Sequence, residues 1–414
     1  MTISASLVAA EVMEWLHGDA VQVEEVSTLI ETLAMRLNEA GIQIDRIATG
    51  ISVLHPNVRT EGITWTAEKG IELRRYMETA ESIKAYDNSP FKVVFSERRS
   101  VRIRLRAGGE LPAYGIVPEL LEAGLTDYIA LPLPFSDGTV KGVTFATRRT
   151  GGFSGSEISL LETIARPLAL LCELYTLKRM SHTLLDTYVG RRAGARVLAG
   201  TVQRGDGETI SAVVGFFDLR GFTELSNAIP GDKLIKLLNA YFDVVNRAVE
   251  AHDGEVLKFI GDEVMAVFPY VCEASARHAA RQALLAAREA SASLAEMNRD
   301  CCAEKPPMRV GIALHAGDVF FGNVGAEARL DFTVVGPVVN LASRIAGLTR
   351  ELEQDILVSE AIADIMGCHA GALGSYRVKG FEEPVSVFMP PAGSIGADGS
   401  WCNAAASALA LEAN

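Results

Sequence analysis

The stretch Lys258-Phe-Ile-Gly-Asp-Glu-Val-Met-Ala-Val-Phe-Pro269 sets an ammonium and a carboxylate four residues apart, inside a run apolar enough for a protein core. Upstream, Phe216-Phe-Asp-Leu-Arg-Gly-Phe-Thr223 closes an apolar run on Asp218. That places Asp218 at a strand end, where the hairpin Ile260-Gly-Asp262-Glu263 can lie alongside in an antiparallel sheet, so that two carboxylates converge at one edge. Such a pair repels itself unless a cation neutralises it, and Mg²⁺ takes one or two carboxylates while leaving positions for water and phosphate oxygens. The plainer alternative makes Asp218 a cap and Asp262 a turn residue, since Gly-Asp is common turn chemistry.

The elements that must position these groups read, in order, as strand 211–218, helix 231–252, strand 255–260, strand 263–268, helix 273–299 and strand 308–315. The first helix shares Leu234, Leu237, Leu238, Tyr241, Phe242, Val245 and Val249 on one face and ends at Asp253-Gly254. This βαββαβ order is the split-βαβ or ferredoxin-like pattern, an α+β fold.

The first 150 residues read as mixed α/β. Val26, Leu29, Ile30, Leu33 and Leu37 recur at helical spacing over 23–41, and Gly50 to His55 has strand character. Val101, Ile103 and Leu105 alternate with Arg102, Arg104 and Arg106, a strand whose basic face is expected to be solvated. A hairpin follows, from Tyr128-Ile-Ala-Leu through the turn Ser136-Asp-Gly138 to Gly142-Val-Thr-Phe. Ser154 and Glu157 then form a capping box opening a long helix, with Ile158, Leu161, Ile164, Leu168, Leu171 and Leu174 in one stripe and Pro167 as a potential kink. A second helical pattern covers 183–199. The polar Gln203-Arg-Gly-Asp-Gly-Glu208 reads as a boundary, and the Gly-, Ala- and Ser-rich tail as disordered.

A chain of 414 residues holds two domains. No apolar run is long enough to cross a bilayer, and the N-terminus lacks a secretory pattern, so no membrane span and a cytoplasmic location are expected. A net charge of −13 argues against nucleic acid as the main partner. The six cysteines lack zinc-ligand spacing and are expected to be reduced. His55 and His182 can ligate haem or a metal, but lone histidines more often serve structure, and haem is not assigned.

Four motifs now stand in order: Phe216-x-Asp218-x-x-x-Phe-Thr223, Lys258-x-x-Gly-Asp262, Arg309-Val-Gly-Ile312 and Val338-Val-Asn340-x-x-x-Arg344. Together they resemble the catalytic domain of class III nucleotidyl cyclases over residues 206–390. The resemblance implies an adenylate cyclase that converts ATP to 3′,5′-cyclic AMP and pyrophosphate. Two Mg²⁺ or Mn²⁺ ions per site would be held by Asp218 and Asp262. Asn340 would orient the ribose and Arg344 would meet charge developing at the α-phosphate. Lys258 would donate to the adenine ring, with Thr333 at the family's companion base-reading position and Asp331, two residues earlier on the same strand face, as a competitor. Arg309 and Lys379 would contact phosphates, a plain surface charge being the alternative for Lys379. The family builds two shared sites in a head-to-tail homodimer.

Residues 1–180 resemble a GAF-type sensor domain, which implies a regulatory small-molecule or redox signal, and 181–205 resembles a helical transducing linker. The tail is 391–414. Two other readings remain open: a catalytically silent nucleotide-binding or dimerisation module, and a diguanylate cyclase, faintly echoed in Ile260-Gly-Asp-Glu-Val264.

Overall fold

A computed structural model describes residues 2–55, 58–77, 79–105, 110–300 and 307–391, and the chain divides into two compact units, residues 1–184 and 185–414. In the first unit the elements run α1 (Thr2–His17), α2 (Val26–Glu39), β1 (Arg46–His55), β2 (Val58–Thr66), β3 (Gly70–Tyr76), α3 (Ala80–Asp87), α4 (Pro90–Glu97), β4 (Val101–Arg104), α5 (Val117–Glu122), β5 (Asp127–Pro134), β6 (Val140–Thr147) and α6 (Gly155–Tyr188). The strands form an antiparallel sheet in the order β3-β2-β1-β6-β5-β4. Its core packs the apolar stripes of α2 and α6, including Leu29, Leu33, Leu161, Ile164 and Leu168, against Ile47 and Phe145. A second cluster joins Val94 of α4 and Leu120 of α5 to Ile103, Tyr128 and Ala146.

The Ser154–Glu157 capping box forms, with the Ser154 hydroxyl accepting from the Glu157 backbone at 3.3 Å and the Glu157 carboxylate accepting from the Ser154 amide at 2.7 Å. One expectation needs correction. The basic row of β4 is not simply solvated. Arg102 reaches the buried Asp127, with Nε 3.1 Å from Oδ1, and donates to the Phe153 carbonyl at 2.7 Å, because a buried carboxylate needs a cation partner. The helix α6 runs unbroken from Gly155 to Tyr188, and the two compact units divide within it, between Leu184 and Leu185.

The second unit continues with α7 (Arg191–Leu198), β7 (Gly207–Leu219), α8 (Phe222–Ala228), α9 (Gly231–Ala251), β8 (Glu255–Ile260), β9 (Glu263–Tyr270), α10 (Glu273–Asp300), β10 (Val310–Ala326), β11 (Arg329–Val335), α11 (Pro337–Glu351), β12 (Ile356–Ser359), α12 (Glu360–Met366), β13 (Ala372–Tyr376) and β14 (Val385–Phe388). The sheet order is β13-β14-β12-β10-β7-β9-β8, with β11 paired to β10 outside that path. Within it, β9 lies antiparallel between β7 and β8, which are joined by α9: a split βαβ unit. One sheet face packs α9 and α10 through Phe217, Tyr241, Val245, Val264 and Leu284; the other packs α11 through Phe216, Met265, Ala342 and Ile345.

Of the cysteines described, Cys172 is a buried free thiol and Cys272 an exposed one, while Cys368 is disulfide-bonded, a departure from the reduced thiols expected. No described helix is long and apolar enough to cross a membrane. The side chains of His55 and Arg106, and the tail from residue 392, lie outside the described residues.

Candidate functional site

Alternation along β7 sends Phe217 into the core beneath α9 and Asp218 to the opposite face, at the strand end. Register then brings in the hairpin: Asp218 lies directly across from Glu263, and Gly261 takes a φ of 68° to turn the chain between β8 and β9. Asp262, in that turn, therefore meets Asp218. The two carboxyls share a hydrogen bond, and both sit above the usual carboxylate range, chiefly from burial; the charge of Asp262 adds to the effect on Asp218. Two carboxylates this close repel unless a cation or a proton lies between them.

Glu263, which the sequence reading passed over, is a third acidic group here. Burial first, and then the charges of Asp218 and Asp262, push it up to about 7. Beneath them the Tyr241 hydroxyl donates to the Phe217 carbonyl at 2.9 Å and fixes the end of β7 against α9. Among the described residues no three His, Cys, Asp or Glu side chains gather as a metal cage, so the donor set is the carboxylate pair, which suits a hard cation that keeps other positions for water and phosphate.

A guanidinium also reaches the pair. Gly311 on β10, beside Asp218, lets α11 approach so closely that a Cβ there would lie 2.3 Å from the Thr349 hydroxyl. The C-terminal turn of α11 thus falls at the carboxylates, and Arg350 stands 3.8 Å from Asp218. Sequence reasoning missed Arg350 because only this tertiary approach connects it to the strand end.

Asn340 and Arg344 share one exposed stripe of α11, four residues apart. They lie six to ten residues before Arg350, about 9–15 Å along the helix axis, so within one chain they do not converge on the carboxylates. Lys258 on β8 forms an ion pair with Asp331 on β11, and Thr333 is buried two residues along that strand. The structure thus gives the Lys258 ammonium to Asp331, the competing candidate. Arg309 lies at the carboxylate end of the sheet, 3.0 Å from Asp355, beside Arg220, which pairs with the same aspartate at 3.3 Å. Lys379 is exposed in the β13–β14 connection, at the sheet edge opposite Lys258.

Both acidic positions, the exposed Asn and Arg stripe and the lysine edge fall inside one stretch that also matches a known family. Residues 207–389 match the adenylate and guanylate cyclase catalytic domain. This stretch is 33% identical over 196 residues to an adenylate cyclase of Anabaena cylindrica, covering 45% of this chain and 38% of that protein. Over 149 residues it is 34% identical to adenylate cyclase 1 of Rhizobium meliloti, covering 36% of this chain and 22% of that one. Among solved structures, the adenylyl cyclase CyaB from P. aeruginosa is 26% identical, with 44% of this chain and 94% of that chain covered at a TM-score of 0.38. The chain spans well under half the length of the curated relatives it matches. The matching family joins adenylate and guanylate cyclases.

Proposed function

We propose that the cyclase domain converts ATP to 3′,5′-cyclic AMP and pyrophosphate in a head-to-tail homodimer with two shared sites, under regulation by residues 1–184. The observation that carries this reading is the carboxyl pair Asp218–Asp262, brought together at a strand end, with its complement Asn340 and Arg344 exposed on a helix that does not bring them to it. A second copy is the simplest supplier of the missing half.

In this account Asp218 and Asp262 hold two Mg²⁺ or Mn²⁺ ions. When bound, these supply charge neutralisation for the triphosphate and acidify the ribose 3′-hydroxyl. The residues of the chain do the rest. Asn340 of the opposite protomer orients the ribose, and Arg344 meets negative charge developing at the α-phosphate during in-line attack. Arg309 and Lys379 contact the outgoing phosphates. Lys258 satisfies the acceptor nitrogen of adenine and Thr333 accepts from its amino group. Before substrate arrives, Asp331 parks the ammonium; with side chains 42% and 50% exposed, that pair is worth no more than about 1 kcal/mol, so exchange to a purine is cheap. The six-stranded N-terminal sheet with its long exit helix supports a GAF-like sensor, and α6, running from that unit into the next, is the natural route for a register change.

The test is incubation of the purified protein with ATP or GTP and Mn²⁺ or Mg²⁺. Cyclic AMP from ATP, well above cyclic GMP from GTP, is expected. Binding without product would mark a silent module, equal use of GTP would overturn the adenine reading, and a cyclic dinucleotide would identify a diguanylate cyclase.

A further inference from the structure

Arg350 has a fixed root and a free head. Its root is the last turn of α11, which Arg220 ties to the sheet by donating to the Thr349 carbonyl at 3.1 Å and to the Gln354 carbonyl. That turn is closed from within as well, the Gln354 amide donating to the Thr349 carbonyl at 3.0 Å. Thr349 itself is buried against Gly311 of β10. The head is held differently: the Arg350 side chain is 72% exposed, and its ion pair with Asp218, at 3.8 Å, is longer than a hydrogen bond. A firmly rooted arginine with a loosely held planar head suits an anion that presents paired oxygens.

The surroundings decide which anion. Asp355 is matched by two guanidiniums, Arg220 at 3.3 Å and Arg309 at 3.0 Å, which leaves Arg350 to Asp218. Asp218 is also a cation ligand of the proposed reaction. Divalent cations held by Asp218 and Asp262 carry more charge than the two carboxylates, so loading the pair takes the partner of Arg350 away and sets like charges side by side. An anion that bridges guanidinium and cation relieves this. Phosphate does both, since its oxygens complete the shell of a hard cation and accept two parallel N–H bonds from a guanidinium.

We propose that Arg350 is a phosphate-binding residue, exchanging Asp218 for the β- and γ-phosphates of the nucleotide and for the pyrophosphate that leaves. The inference rests on the proposed cyclase reaction and deepens it. It also divides α11 between two sites: Arg350, in the turn at the carboxylates of its own chain, acts in cis, whereas Asn340 and Arg344, about 9–15 Å away along the axis, serve the site of the other protomer. The competing role is structural, since any cation in the last turn of α11 complements the helix dipole.

The experiment is calorimetric titration of the full chain with inorganic pyrophosphate in Mn²⁺, for wild type, Arg350→Ala and Arg350→Lys, beside Mn²⁺ titration without phosphate and thermal unfolding in chelator. Wild type is expected to bind pyrophosphate saturably and Arg350→Ala about tenfold or more weakly, as loss of charge-assisted hydrogen bonds requires. Arg350→Lys, which keeps the charge and loses the fork, should fall between them. Mn²⁺ alone should bind Arg350→Ala no more weakly than wild type, so the sign of the effect reverses when phosphate arrives. If wild type binds no pyrophosphate, the inference falls together with the cyclase reading; if wild type binds it and Arg350→Ala binds it equally well, the inference falls alone. It is also overturned if Arg350→Ala loses Mn²⁺ and pyrophosphate binding in equal measure, or if its Tm in chelator drops by more than about 4 °C, either of which would make the role structural.

Discussion

Replacing Asp218 with asparagine should stabilise the cation-free protein and abolish turnover, two effects of opposite direction from one atom exchange. Without a cation, both carboxyls are raised, Asp262 by burial and Asp218 by burial and then by the Asp262 charge. At pH 8 the two charges oppose each other. Two unit charges at about 4 Å repel by about 1 kcal/mol in water and about 4 kcal/mol at an effective dielectric of 20. With the Asp218 side chain 30% exposed, the appropriate figure is near the lower end, about 1–2 kcal/mol. Asparagine keeps the shape and a donor toward Asp262 while removing the charge. The Arg350 contact it forfeits, at 3.8 Å and with the arginine 72% exposed, returns less than about 1 kcal/mol. For a unit of this size the net gain is about 2–4 °C in Tm per kcal/mol. The assay is thermal unfolding at pH 8 in chelator and in Mn²⁺, beside cyclic AMP formation. Wild type should gain Tm from Mn²⁺ and Asp218→Asn should not, while its turnover falls by more than tenfold, over 1.4 kcal/mol of barrier. A lower Tm in chelator, or turnover within tenfold of wild type, would refute the reasoning.

Three further outcomes follow from the same geometry. Mixing inactive Asp218→Ala and Arg344→Ala chains should restore about one working site per heterodimer, measured as recovered cyclic AMP formation; no recovery contradicts shared sites. Glu263 is raised from 4.5 to about 7, so between those values the folded state binds the extra proton and stability must fall as pH rises through that window. Urea unfolding in chelator at pH 5 and pH 8 should show this loss, and Glu263→Gln should flatten it; an unchanged slope would remove Glu263 from the acidic cluster. Finally, Arg350→Ala should tighten Mn²⁺ binding, read by calorimetry without nucleotide, by no more than about fivefold, since an exposed pair is worth under about 1 kcal/mol. Weaker binding would mean that Arg350 supports the cation site and does not compete for it.

How much was legible in the sequence depended on the range over which each signal acts. Local signals carried well: the apolar face of α9, the Ser154–Glu157 box and the turn before Asp262 each depend on residues within a few positions. The meeting of Asp218 with Asp262 could be anticipated because a strand end and a hairpin turn have few ways to be adjacent. Glu263 could not, since its place depends on the β7–β9 register, which one sequence does not specify. Arg350 and the Lys258–Asp331 pair depend on how α11 and β11 fold back, contacts spanning 132 and 73 positions, the first counted from Asp218 to Arg350. The alternation of β4 hid the role of Arg102, because a basic strand face reads as solvated until a buried carboxylate 25 positions away claims it. The long helix continues to Tyr188, just short of Gly190, where a local stop signal stands.

The central claim, that one protomer grips cations while its twin reads the purine, is tested most directly by a crystal of the full chain with Mn²⁺ and a non-cyclisable ATP analogue. The account predicts anomalous density between Asp218 and Asp262 of one protomer, with the adenine against Lys258 and the ribose against Asn340 of the other. Metal density elsewhere, or a nucleotide held by a single chain, would contradict it.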